Sequence, residues 1–328
     1  MRSDHGVSFV ERDAQGVVAA FREDVLQGLS EPQKAVPARW FYDEAGSTLF
    51  EQITELPEYY PTRAEVEILG RYGADFREWA GAGRAVVEFG SGSSSKTPLL
   101  LDAIAPAAYV PIDISGDFLR ASAALLAAKL PGLTIYPVEA DFMRGIELPA
   151  AVAGMPKLGF FPGSTIGNMV PATATDLLRT MRAMLGDGSK LLIGFDLIKD
   201  PAVLVAAYDD PAGVTAAFNL NLAQRINREL AGTIPVGELR HLAVWNDDLA
   251  RIEMHLKAGR NIEFEVSGRP FAMADGETIH TENSHKFSLR SASMLLLSGG
   301  WTPRKRWLDS SDRFALVLAD ATIPRSAP

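Results

Sequence analysis

Glu88-Phe89-Gly90-Ser91-Gly92 follows the apolar pair Val86-Val87 and leads into Ser93, Ser94, Ser95 and Lys96. Two glycines one residue apart let a backbone approach a ligand where a side chain would block it, and a helix starting beyond them offers free N–H groups. A strand, a tight turn and a helix start in this order form the usual seat of a nucleotide-like ligand in a parallel sheet. A Gly-x-Gly alone fits an ordinary strand-to-helix turn equally well. Ser95 stands where a dinucleotide loop has its third glycine, which disfavours NAD and leaves S-adenosylmethionine. Glu88 agrees, because it would repel a pyrophosphate yet can sit near an amino group or a sulfonium. Asp113 has the place from which a carboxylate accepts from ribose hydroxyls, and Asp141-Phe142 can offer adenine an acceptor and an aromatic face. Lys96, about one turn into the helix, is a solvated lysine or a partner for the methionine carboxylate.

A second group of polar residues has the right types for an acceptor pocket. Phe161-Pro162-Gly163-Ser164-Thr165-Ile166-Gly167-Asn168-Met169 is a loop beyond a strand C-terminus, and Asn168 brings a donor and an acceptor to it. In a strand over 278–284, Glu282 and Ser284 point one way while Asn283 and His285 point the other. A carboxylate and a hydroxyl therefore converge on one side. The five histidines and the pairs Asp209-Asp210 and Asp247-Asp248 show no metal-ligand spacing, so no metal is expected.

The elements that must position these residues alternate. Apolar residues at helical spacing predict a helix over 15–29, a short helix carrying Phe50 and Ile53, and a longer one over 63–80; Pro57 and Pro61 suggest an extended turn between them. Strands are expected at 84–89, 109–114, 133–138, 157–162 and 190–195, with helices after the glycines and over 116–130 and 171–185. This is a parallel, doubly wound sheet. Near Pro201 the pattern changes to helices over 202–207 and 212–231, then alternating strands 251–258 and 261–266 joined at Gly259-Arg260, and another over 278–284. A helix at 288–297 and an antiparallel pair, 301–308 and 313–319, resume the sheet. The expected domains are 1–200 with 286–328, comprising N-terminal helices and the sheet, and an α+β insertion at 201–285.

With 328 residues, 47% apolar content and a formal charge of −9, the chain can bury a large core and is a poor match for nucleic-acid phosphates. The absence of cysteine excludes disulfides, a thiol nucleophile and thiolate metal sites. No apolar run reaches the roughly 18–20 residues of a membrane span and the N-terminus has no signal-peptide core, so a cytoplasmic protein is expected, a monomer bound to neither membrane nor nucleic acid.

Trp40-Phe41-Tyr42-Asp43-Glu44-Ala45-Gly46-Ser47, Leu56-Pro57-Glu58-Tyr59-Tyr60-Pro61-Thr62-Arg63, the 88–96 loop, the 161–168 loop and Glu282-Asn283-Ser284-His285-Lys286-Phe287 together resemble the histidine-specific methyltransferase family of ergothioneine biosynthesis. The resemblance covers nearly the whole chain. It implies a class I, Rossmann-like methyltransferase fold and trimethylation of the α-amino group of L-histidine to hercynine, with S-adenosylmethionine as donor. It assigns Gly90, Lys96, Asp113, Asp141 and Phe142 to the donor, Tyr59, Asn168, Tyr208, Met254, Glu282 and Ser284 to histidine, and Tyr42 to the reacting amine. Imidazole has two nitrogens to satisfy, and Glu282 with Ser284 can do so; a site built on such bonds rejects a substrate lacking them by roughly 10⁴-fold. The open alternatives are an N-methyltransferase for tyrosine or tryptophan, a non-catalytic S-adenosylmethionine-binding module and, last, a nicotinamide-dependent oxidoreductase.

Overall fold

A computed structural model describes residues 14–92 and 96–322. Ser93–Ser95, and with them the missing third glycine at Ser95, lie outside the described residues, as does His5. The chain forms two compact units. The first holds Pro61–Ile198 and the described chain from Lys286 onward; the second holds the described chain up to Tyr60 and Lys199–His285. The helices before Tyr60, which the sequence pattern places with the sheet, thus cluster with the inserted segment, while those of the expected 63–80 span stay with the sheet. Their apolar residues explain why: Phe21, Val25, Phe41 and Ile53 share one core with Phe218, Leu222, Met254 and Leu256.

In the first unit a seven-stranded sheet has the order β11-β12-β5-β4-β1-β2-β3. Its strands are β1 (Ala85–Phe89), β2 (Ala108–Asp113), β3 (Val138–Glu139), β4 (Lys157–Phe161), β5 (Lys190–Asp196), β11 (Trp301–Leu308) and β12 (Phe314–Ala321). Strands β1 to β5 pair in parallel, and β12 runs antiparallel to both β5 and β11. Burial on both faces follows from the sequence of β1, where Val87 and Phe89 enter one core and Val86 the other. Helices α3 (Tyr60–Arg71), α4 (Gly73–Ala80), α5 (Thr97–Ile104), α6 (Gly116–Lys129), α7 (Pro171–Leu185) and α10 (Leu289–Ser298) belong to this part of the chain. The chain leaves β1 toward β2 and β3, then returns to β4 and β5 on the other side. The ends of β1 and β4 are therefore the switch point where such sheets bind ligands.

Several expected boundaries move. Pro61 stands in the first turn of α3, where its missing N–H costs nothing, so 57–61 is not one extended turn. The helix expected over 63–80 is two, broken at Tyr72-Gly73. Only Val138-Glu139 forms a ladder at the third strand, with an isolated bridge from Ile135 to Tyr109.

The second unit contains α1 (Ala14–Gly28), α2 (Glu44–Glu55), α8 (Pro201–Ala206) and α9 (Val214–Glu229), with two small antiparallel sheets. One is β10-β7-β6, from β6 (Leu239–Asn246), β7 (Arg251–Ala258) and β10 (Thr278–His285). The other is a hairpin of β8 (Ile262–Val266) and β9 (Arg269–Met273). The expected 251–258/261–266 hairpin does not exist. Ser267-Gly268 makes the hairpin instead, with φ of 50° and 73°, the paired positive values that a tight two-residue turn requires.

Candidate active site

In the first unit, the turn after β1 is shaped as its glycines require. Gly90 and Gly92 have φ of 72° and 50°. The N–H groups of Gly90 and Ser91 both donate to the carbonyl of Ile112 on β2, at 2.9 and 3.1 Å. Asp113 ends β2, and its carboxylate accepts from Gly92 N and Ser115 N, each at 2.9 Å. These two bonds tie the turn after β1 to the turn after β2 and leave a half-buried carboxylate beside both. A Cβ on Gly90 would lie 3.5 Å from the ring of Phe142, so the backbone here faces an aromatic surface directly. Phe142 is itself held edge-on to Phe89 and Phe161, with centroids 6.1 and 5.8 Å away. Asp141 caps the short turn that carries Phe142, accepting from Met143 N at 3.0 Å. Gly90, Asp113, Asp141 and Phe142 therefore meet at the C-terminal ends of β1, β2 and β3. A carboxylate, an aromatic face and an open backbone turn fit a ribose, an adenine and a chain that must pass close by.

Two acidic residues behave otherwise than their spacing suggests. Glu88 is 1% exposed and points to the interior side of β1. Its carboxyl accepts from Thr97 Oγ1 at 2.9 Å and from the Tyr109 hydroxyl. Burial pushes its pKa up to about 8, against the pull of those hydrogen bonds, so it is a neutral acid beneath the start of α5 and not a partner for an amino group or sulfonium. The second is Glu65, which sequence reading passes over. It is fully buried on α3 and pairs with the Lys96 ammonium, and its carboxylate also accepts from Gly163 N at 3.1 Å. Lys96 is thus neither a solvated lysine nor unaccompanied. The signal was present: Glu65 lies on the same helical stripe as Ile68 and Leu69, where a carboxylate needs a partner.

The loop after β4 is pinned at several points. Glu65 holds Gly163, Ser164 adopts φ of 58° with its Oγ accepting from Asp196 N at 2.8 Å, and Thr165 Oγ1 donates to the Pro162 carbonyl at 3.0 Å. Asp196, at the end of β5, forms a buried ion pair with Lys286 at 2.8 Å. Asn168 closes this rigid turn, half-buried, and its amide makes no hydrogen bond among the described residues.

In the second unit, Tyr59, Tyr208 and Met254 belong to one core with Tyr42 packed against it, and Glu282 and Ser284 stand on β10. Tyr42 packs edge-on to Phe50 and Phe218, Phe50 meets Tyr59, and Tyr59 meets Tyr208, with centroids 5.6–6.3 Å apart. The Tyr208 and Ser284 hydroxyls are hydrogen-bonded at 2.6 Å and both residues are buried. Glu282 is directly paired with Met254, and Ser284 with Ile252, so the carboxylate, the thioether and the hydroxyl share one face of the β10-β7 ladder. A bulge between His280 and Glu282 brings this about. Strict alternation would put Glu282 on the side opposite Ile279; the extra residue, Thr281, resets it. Thr281 is held by hydrogen bonds to Asn219 Oδ1 at 2.8 Å and the Met254 carbonyl at 3.0 Å.

Supporting residues explain why these side chains stay where they are. Asp43 caps α2 through Gly46 N at 2.7 Å and accepts from Asn221 on α9 at 2.8 Å, which fixes the residue after Tyr42. A Cβ on Gly46 would stand 1.8 Å from the Phe41 carbonyl oxygen, so only glycine permits this approach. Arg225 donates to the Trp40 carbonyl at 2.8 Å and lies over the Phe21 ring. His241 Nε2 donates to the Tyr208 carbonyl at 2.8 Å, while its Nδ1 accepts from Asn219 at 2.9 Å. Burial lowers the His241 pKa and keeps that tautomer neutral.

The chain resembles known proteins over most of its length. Residues 21–321 match a family described as histidine-specific methyltransferase, SAM-dependent. A histidine N-alpha-methyltransferase of Mycolicibacterium smegmatis is 41% identical over 93% of this chain and 96% of its own. An ergothioneine biosynthesis protein 1 of Neurospora crassa is 29% identical over 88% of this chain, which spans 34% of that longer protein. Among solved structures, the CcbJ methyltransferase from Streptomyces caelestis superposes with a TM-score of 0.50 at 17% identity, covering 86% of this chain and all of that one; it supports the sheet architecture.

Proposed function

The chain belongs to the SAM-dependent, histidine-specific methyltransferase family, and from that premise we propose that it methylates the α-amino group of L-histidine three times, giving hercynine for ergothioneine biosynthesis. The observation that carries the acceptor's identity is the shared face of Glu282, Met254 and Ser284. Glu282 accepts from one imidazole N–H. Ser284 shares a 2.6 Å hydrogen bond with the Tyr208 hydroxyl, and with Tyr208 as its donor the Ser284 proton is left for the other nitrogen. Tyr208 holds Ser284 in that position. Met254 covers the ring, and Asn168 is assigned to the α-carboxylate.

The donor side rests on Gly90, Asp113, Asp141 and Phe142, with Lys96 bound to Glu65 at its edge. Bound S-adenosylmethionine supplies an electrophilic methyl group carried on a sulfonium. The protein's own residues have little covalent chemistry to perform, and the rate comes from placement. Tyr42 orients the amine lone pair, directly or through water, and its ring with that of Tyr59 tolerates the growing cation through attraction to the aromatic faces. Hydrogen bonds through Asp43, Asn221 and His241 keep these rings from drifting, which is where misplacement would cost most.

We take the unit that contains β10 as the part that recognises the imidazole and the unit of the seven-stranded sheet as the part that binds the donor and contributes Asn168. No described helix is long and apolar enough to cross a membrane. The reading is of a monomeric cytoplasmic enzyme acting on a free amino acid. Incubation with S-adenosylmethionine and each amino acid in turn, followed by mass, tests it: histidine should gain three methyl groups, and a mass shift on tyrosine or tryptophan but not histidine would overturn the acceptor assignment.

A further inference from the structure

Linear spacing shows no metal cluster, yet the pairing of β7 with β10 builds one on the face opposite Met254 and Glu282. Glu253 and His255 are two residues apart on β7, and His280 is the residue of β10 paired with His255. The two imidazoles stack with centroids 4.6 Å apart, and His255 Nε2 lies 3.2 Å from Glu253 Oε2. One ligand-type atom from each of the three residues lies within 4.8 Å of the others. None of the three has a part in the methyl transfer described above.

Surrounding bonds hold these groups as outer-shell partners hold metal ligands. Glu253 Oε1 accepts from Arg251 Nε at 2.8 Å and from Asn246 Nδ2 at 2.9 Å, which turns Oε2 toward the imidazoles. His280 Nε2 is 3.0 Å from the Glu282 carbonyl oxygen, which can only accept, so Nε2 carries the proton and Nδ1 the lone pair. His255 is 8% exposed, and its Nδ1 is buried without a hydrogen-bond partner.

We propose that Glu253, His255 and His280 form a binding site for a divalent transition-metal ion of the zinc class, with water completing its shell. Two imidazoles and a carboxylate are a normal ligand set for such an ion. Bonds of about 2.0–2.2 Å need ligand atoms roughly 3.3 Å apart, so the three side chains close inward by rotation on a ladder that stays fixed. Arg251 remains on Oε1, and its charge lowers the affinity below that of a site with an unshared carboxylate. Glu253 and His280 are half-buried, which leaves the ion a way in.

The untagged full-length protein, stripped with chelator, is titrated with Co²⁺ and followed by its visible d–d absorption. We expect saturation at one ion per chain and displacement by Zn²⁺. His255→Ala and His280→Ala should each weaken binding at least about tenfold, while His5→Ala leaves it unchanged. Glu253→Gln and His280→Gln, which preserve side-chain size, repeat the test if an alanine variant does not fold by circular dichroism. No saturable absorption in the folded wild-type protein, or absorption that survives both histidine substitutions, overturns the proposal.

Discussion

Replacing Glu88 by Gln tests the buried neutral acid under the donor site. The Glu88 carboxyl has a pKa raised from 4.5 to about 8 in the folded protein, with burial the largest cause. Between those values the folded protein holds one proton that the unfolded chain has lost. The stability contributed by this group is therefore complete below about pH 4.5, falls by about 1.4 kcal/mol per pH unit, and is gone above about pH 8, for a total of about 5 kcal/mol. Glutamine is neutral throughout. It keeps one acceptor for Thr97 or Tyr109 but turns N–H donors toward the other, a loss of about 1–3 kcal/mol that does not vary with pH. The stability of wild type minus that of the variant should fall by about 2.3 kcal/mol from pH 6 to pH 8, somewhat less than two full units of linkage slope because the group is half ionised at the upper end. Urea unfolding of both proteins at pH 6, 7 and 8 measures this difference and cancels groups common to both. A constant difference would mean that Glu88 is ionised in the folded protein, and the account of a neutral acid beneath α5 would be wrong.

Three further outcomes concern the site. Glu282→Ala should raise the KM for histidine roughly 10- to 100-fold, the loss of about 1.5–3 kcal/mol of hydrogen bonding to a charged group, while calorimetry shows cofactor affinity unchanged; equal losses in both would remove Glu282 from the specificity role. Asp113→Ala removes the acceptor shared by Gly92 N and Ser115 N, so affinity for S-adenosylmethionine should fall at least about tenfold with the histidine KM preserved, as steady-state kinetics would show. Glu65→Gln leaves the Lys96 ammonium and Gly163 N without their carboxylate and should lower stability by about 3 kcal/mol, read from urea unfolding.

The strand-to-helix alternation from Val86 to Phe195 and the closing antiparallel pair were legible because apolar runs and glycine turns are local signals. The types of the site residues were legible for the same reason: a glycine turn, carboxylates at strand ends and an aromatic-proline segment each announce themselves over a few residues. What neighbours each residue meets is a different matter. Glu88 and Asp113 look alike as acids near strand ends, yet one faces the interior and becomes a neutral acid, and the other faces the turn. Glu65 and Lys96 are 31 residues apart and find each other only when α3 covers the sheet. The true hairpin turn at Ser267-Gly268 was disguised by Gly259-Arg260, since a glycine pattern does not say which strands will pair. The bulge at Thr281 shifts a side-chain alternation by one residue, and the Glu253, His255 and His280 cluster needs two strands in register. Local chemistry determines which groups are available, and long-range pairing decides which of them share a face, because burial and hydrogen-bond partners are properties of neighbours that the chain order does not contain.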